Sequence, residues 1–130
     1  MNCLNCNAPL KRKKSTYCSN QCQIDYQYKQ WVTRWKNGEV SGLKGKYEIS
    51  DYLKRYLREK YHNKCSRCGW CEVNPYTGHV PLEVEHIDGD YLNNKEENLD
   101  LICPNCHSLT STYKGANRGK GRKFRAKYSL

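Results

Sequence analysis

Between Leu82 and Leu109 the chain reads LEVEHIDGDYLNNKEENLDLICPNCHSL, and it holds three polar residues, His86, Asn98 and His107, with Glu85 beside the first. A neutral imidazole has a pKa near ~6.5 and can accept a proton at physiological pH, so His86 is the candidate general base. A carboxylate and an imidazole can hold one divalent ion and leave positions open for an anionic oxygen and a water. Glu85 and His107 are therefore the candidate ligands of a catalytic ion such as Mg(II) or Mn(II). Phosphodiester hydrolysis needs an activated water, stabilisation of charge on the phosphate and help for the departing 3′ oxygen, and this set suits those needs. Strand alternation would send Glu85 and His86 to opposite faces, so the assignment requires the strand to end or twist there. Asp88, which follows the base on the loop, is the first reserve ligand and Glu83 the second.

These residues need a frame. Leu82, Val84 and Ile87, interleaved with Glu83, Glu85 and His86, predict a short strand ending near His86. Asp88-Gly89-Asp90 turns the chain into a polar loop through Asn93, Asn94 and Glu96-Glu97-Asn98. Leu99 to Ile102 predicts a second strand, and a helix starting near Asn105 carries His107 in its first turn. Cys65, Cys68, Cys103 and Cys106 pin that helix to the preceding segment through one metal ion, which brings His86 and His107 together across twenty residues. Upstream, Ser50 and Asp51 are candidate caps for a helix, SDYLKRYLREKYH, with Leu53, Tyr56, Leu57 and Tyr61 on one face. Lys54, Arg55, Arg58 and Lys60 on the other are read as a solvated basic face. His62 is read as a surface residue and His79 is given no role.

Eight of the nine cysteines fall in close pairs. Cys3, Cys6, Cys18 and Cys22 form a second four-thiolate set, and two pairs at these spacings supply the four ligands of tetrahedral Zn(II). Two structural zinc ions are thus expected. Cys71 is left over and is read as a buried free thiol. Ile24, Tyr28, Trp31, Val32 and Trp35 recur at helical spacing and predict a helix from about Gln21 to Lys36 with that stripe as core. Glycines at 38, 42 and 45 then read as a linker.

At 130 residues and 37% apolar content the chain is poor in core-forming residues, which is where metal would help. Its formal charge of +10 attracts a polyanion, and nucleic acid is the first choice. The excess is concentrated in Lys11, Arg12, Lys13 and Lys14 and in a tail holding Lys114, Arg118, Lys120, Arg122, Lys123 and Arg125, where Phe124 and Tyr128 could stack on bases. Contacts of this kind hold phosphates and carry little sequence information. No apolar leader precedes the first cysteine and no run approaches a membrane span, so a reducing cytoplasm is expected.

The runs EHIDGD, ENLDLIC and CPNCH resemble the HNH endonuclease motif, or ββα-metal fold, in its zinc-stabilised form, over roughly residues 63 to 113. The helix and finger before it resemble small HNH proteins of phages and prophages, which would place the chain in a bacterial host's cytoplasm. The resemblance implies a small α+β, zinc-stabilised fold and a DNA endonuclease with His86 as base and His107 as metal ligand. It also implies that Asn98 positions the loop and the base through hydrogen bonds, with a backbone carbonyl near His86. The family's acidic ligand is often Asp, and here it is Glu85. The expected organisation is a finger and helix at 1–37, a linker at 38–48, the nuclease domain at 49–113 and the basic tail at 114–130. Double-stranded DNA, held largely through its phosphates, is the expected partner. The competing expectation is a zinc-finger binding or regulatory protein without turnover; an iron-based electron carrier is a distant third.

Overall fold

The computed structural model describes residues 1–110. The tail residues Lys114, Arg118, Lys120, Arg122, Lys123, Phe124, Arg125 and Tyr128 lie outside the described residues. The chain divides into two compact units, Met1–Val40 and a second beginning at Ser41. Both mix short extended segments with helix, so the fold class is α+β.

In the first unit a bridge between Asn2 and Pro9 closes the turn that carries Cys3 and Cys6. Asn7, at φ 63°, makes the reversal, a left-handed conformation that asparagine tolerates better than most residues. Helix α1 spans Asn20–Lys36, and the Ser19 hydroxyl accepts from the Cys22 N–H at its start. That cap sets the first turn of α1 against the knuckle, because Cys22 is both the capped residue and a thiol of the set. Tyr28 and Trp35 are buried, and Trp31 stacks on Trp35 with ring centroids 5.9 Å apart. The expected core stripe is narrower than its pattern. Ile24 is exposed, since a forty-residue unit with one helix has little to lay over a fifth apolar position.

In the second unit, the segment read as a linker contains an antiparallel hairpin of β1, Leu43–Lys44, and β2, Glu48–Ile49. It leads directly into α2, Asp51–Lys60, capped by the Ser50 side chain, which accepts from Tyr52 N–H. Leu53 and Leu57, one turn apart on α2, are fully buried, and with Val80, Leu82, Leu99, Leu101 and Ile102 they belong to the buried core of this unit. Strands β3, Glu83–His86, and β4, Leu99–Ile102, pair antiparallel, with Glu85 opposite Asp100 and His86 opposite Leu99. The loop between them ends in a single 3-10 turn at Glu96–Asn98, tied to α2 because Glu96 accepts from the Tyr56 hydroxyl and pairs with Lys60. Helix α3, Pro104–His107, follows β4 at once. Proline stands at its first position, where no N–H is needed, and the Cys103 sulfur caps Cys106 N–H.

Cys71 is exposed, not buried. It lies between the knuckle and Val80, a stretch without regular structure and with almost no buried residue to cover a thiol.

Candidate metal and catalytic centre

Each cysteine tetrad is assembled from two distant segments by backbone contacts. Ser66 N–H bonds Leu101 O at 2.8 Å and Arg67 reaches Asp100 at 3.2 Å, so the Cys65/Cys68 knuckle is laid along β4, from which Cys103 and Cys106 continue. In the first unit Leu4 N–H bonds Thr16 O, which brings the Cys3/Cys6 turn beside Cys18 and Cys22. The four sulfurs of each set lie within 4.8 Å of one another, with pairs at 3.4 Å, 3.6 Å and 3.7 Å. Tetrahedral Zn–S bonds of about 2.3 Å would put sulfurs roughly 3.8 Å apart, so both sets could hold a metal ion.

Their proton affinities carry the mark of such sites. Hydrogen bonds from the N–H groups of Cys6 and then Cys18 and Asn5 outweigh burial and hold Cys3 at about 6. Burial raises Cys65, but the N–H groups of Cys68, Cys103 and Arg67 bring it to about 6. Cys18, hydrogen-bonded to Cys22 and Cys6, and Cys106, desolvated though only half-buried and hydrogen-bonded to Cys103, Cys65 and Cys68, are pushed up to about 12. Thiols crowded together cannot all ionise without a cation, and binding one lowers all four so that their protons are released.

Strand β3 obeys the two-residue alternation through His86, its last residue, so Glu85 and His86 face opposite sides of the hairpin and the break expected between them is absent. Glu83 and Glu85 share the face that meets α3. His107 stands between them, with Nδ1 3.3 Å from Glu85 and Nε2 3.3 Å from Glu83. Glu85 is only 5% exposed, a carboxylate enclosed against an imidazole, and carboxylate oxygen with imidazole nitrogen is a donor pair that divalent ions take. The reserve acids stand in the reverse of the expected order. Glu83 is beside His107, whereas the Asp88 carboxylate is taken up by the loop, accepting from Asp90 N–H and from the amides of Asn93 and Asn98. Bonds from Asn93 first, then Asp90 and Asn98, hold its carboxyl below the usual range.

Asn98, buried, is the staple of that loop. Its side-chain oxygen accepts from Asp88 N–H at 3.0 Å, and its amide donates to Asn93 O at 2.8 Å. Its own carbonyl accepts from Ile87 N–H. The carbonyl its side chain meets is Asn93's, in the middle of the loop. The residue that touches His86 is another one, Asn94. Its buried side-chain oxygen lies 2.6 Å from His86 Nε2, and its amide donates to Tyr91 O at 3.1 Å. Nothing in the sequence distinguishes Asn94 from Asn93; only the loop's path does. Lys11, Arg12, Lys13 and Lys14 are all exposed on the first unit. Among the described residues no helix is long and apolar enough to cross a membrane.

No family model and no solved structure matches the chain. It is 40% identical over 102 residues to the H-N-H endonuclease F-TflIV of Escherichia phage T5, a match covering 75% of this chain and 40% of the phage protein. It is 35% identical over 82 residues to a protein of Lactococcus phage SK1 named "Probable HNH endonuclease", covering 59% of this chain and 84% of that one. The chain thus spans well under half the length of the T5 protein.

Proposed function

Since the chain belongs to the HNH endonuclease family, we propose that it is a DNA endonuclease that hydrolyses phosphodiesters with His86 as general base and one divalent ion held by Glu85 and His107. The observation that carries this reading is the bracketed imidazole: His107 of α3 lies between a buried Glu85 and Glu83, both of the strand whose last residue is His86. When bound, the ion would supply Lewis-acid stabilisation of the charged phosphate and of the departing oxygen. The rest is done by side chains. Because the Asn94 amide nitrogen is engaged with Tyr91 O, its oxygen faces His86 and takes the proton on Nε2. Nδ1 is left as the nitrogen that accepts a proton from water. Asn98 holds both ends of the loop so that this pair stays in register.

The thiolate sets are assigned to structural zinc, and two zinc ions per chain by elemental analysis is the expected result. We assign 1–37 to a DNA-gripping finger, with Lys11 to Lys14 on phosphates, 49–113 to the nuclease, and the whole to a host cytoplasm. Double-stranded DNA is the substrate. The test is nicking of a supercoiled plasmid by zinc-loaded protein with Mg(II) or Mn(II) added or withheld. Cleavage that needs the added ion supports the reading; none with any divalent ion would favour a binding protein instead.

Two further results follow from the geometry. Asn94→Ala should lower kcat about 10- to 100-fold with KM little changed, because the imidazole loses the partner that fixes its tautomer. Asn94→Asp, which keeps an acceptor, should recover most of the loss. In Mn(II) titrations of cleavage-inactive protein, Glu85→Gln should weaken binding most and Glu83→Gln by about tenfold. Asp88→Asn should leave affinity intact and lower thermal stability; weaker Mn(II) binding there would return Asp88 to the ligand set.

A further inference from the structure

Arg55, Arg58 and Glu59 on α2 recur at i, i+3 and i+4 and so share one face, and His62 follows just past the helix end. Together with Asn63 and His79 they line an open groove of about 580 Å³. None of these residues belongs to the centre described above. The Arg58 guanidinium is fixed in the groove wall: Nη1 donates to Asn63 Oδ1 at 2.7 Å and to Val80 O at 3.2 Å. Of its five N–H groups, the three on Nε and Nη2 have no acceptor among the described residues. The bond is reciprocated, since Asn63 N–H donates to Arg58 O at 2.7 Å.

That clasp holds the chain in an uncommon path. His62 and Asn63 stand consecutively in the left-handed region, at φ 54° and 57°. Such conformations persist where the surroundings over-determine them, and here they set the His62 ring beside Arg58 in the groove. His79 reaches the groove from a separate segment, the end of a turn in which the Asn74 side chain accepts from Tyr76 and Thr77 N–H. Glu59 pairs with Arg55 at 3.1 Å. With the imidazoles neutral, two guanidiniums against one carboxylate leave a single net positive charge.

We propose that this groove is a second, non-catalytic anion site that grips a phosphodiester of the nucleic-acid backbone. A planar, pre-positioned guanidinium fork matches the paired oxygens of a phosphate, and imidazole N–H groups add neutral donors. The single net charge suits a phosphodiester monoanion, and the open shape admits a continuous strand. The site goes beyond the catalytic reading and holds whether or not the chain cleaves.

The test is binding of a labelled duplex to the full, zinc-loaded chain with no Mg(II) or Mn(II), so that turnover is absent. Arg58→Gln should weaken binding alike for duplexes of different sequence, and should reduce the slope of log K against log salt by about 0.9. Glu59→Gln should tighten binding about two- to fivefold, a gain that a loss of folding cannot produce. Glu48→Gln, on the hairpin, should change neither. If Arg58→Gln proves unstable, Glu59→Gln decides. Unchanged affinity for Glu59→Gln with an unchanged salt slope for folded Arg58→Gln would overturn the site. The His62 and His79 ring signals should shift on adding duplex. If inorganic phosphate at equal phosphate concentration shifts them and duplex does not, the groove takes small anions and the backbone assignment is overturned.

Discussion

His86→Ala should reduce metal-dependent plasmid cleavage by about 10²- to 10⁴-fold, the usual contribution of a positioned acid–base group, and leave DNA affinity within about twofold. The side chain stands at the end of β3, opposite Leu99, and its ring is held from the Nε2 side by Asn94. Truncation removes a proton acceptor without opening the core, which is built on Leu53, Leu57, Leu99, Leu101 and Ile102. Zinc content, melting temperature and Mn(II) affinity should therefore match the wild type. His107→Ala is the contrasting variant, because its imidazole lies between two carboxylates. It should lose Mn(II) affinity first and recover part of its activity at high ion concentration. Cleavage that survives loss of His86 would transfer the base to another group and leave the family assignment standing.

The sequence made the frame of this centre readable because each part has a local cause. Leu99, Leu101 and Ile102 around Asp100 predict β4, Ser50 before Asp51 predicts the start of α2, and cysteine pairs at fixed gaps predict which segments meet. The strand's end at His86 was legible too, from Asp88-Gly89-Asp90 after it. What was not legible depends on where side chains go once the loop closes. Asp88 reads as a free carboxylate beside the base, yet three donors on Asp90, Asn93 and Asn98 occupy it. Glu83 reads as the remote acid, yet alternation places it on the same face as Glu85, one imidazole away. Asn93 and Asn94 are adjacent and identical, and the loop gives one to Asp88 and the other to His86. The groove on α2 reads as an ordinary solvated face because His62 and His79 meet it only through turns.

Cys103→Ser should unfold the second unit and not merely weaken its metal site. Cys103 is buried, follows the fully buried Ile102, caps Cys106 N–H through its sulfur and lies 3.7 Å from the Cys68 sulfur. One atom therefore joins β4, α3 and the first knuckle. The core it closes is small, with Val80 and Leu82 completing the set from α2 and β4. A structural zinc in such a setting contributes on the order of 10 kcal/mol, comparable to the whole stability of about 5–15 kcal/mol of an ordinary domain. Loss of one ligand should thus cost the metal, the fold of this unit and all cleavage together. Cys18→Ser makes the separate case, because its tetrad lies wholly within Met1–Val40. Elemental analysis should give one zinc for each variant. The three tryptophans assign the damage: Trp31 and Trp35 report the first unit and Trp70, whose carbonyl accepts from Cys65 N–H, the second. Cys103→Ser should lose the Trp70 signal and amide protection across β3 and β4, while Trp31 and Trp35 remain stacked. Retention of that protection without metal would mean that the strands and α2 fold on apolar contacts alone, with the thiolates serving only to place His107.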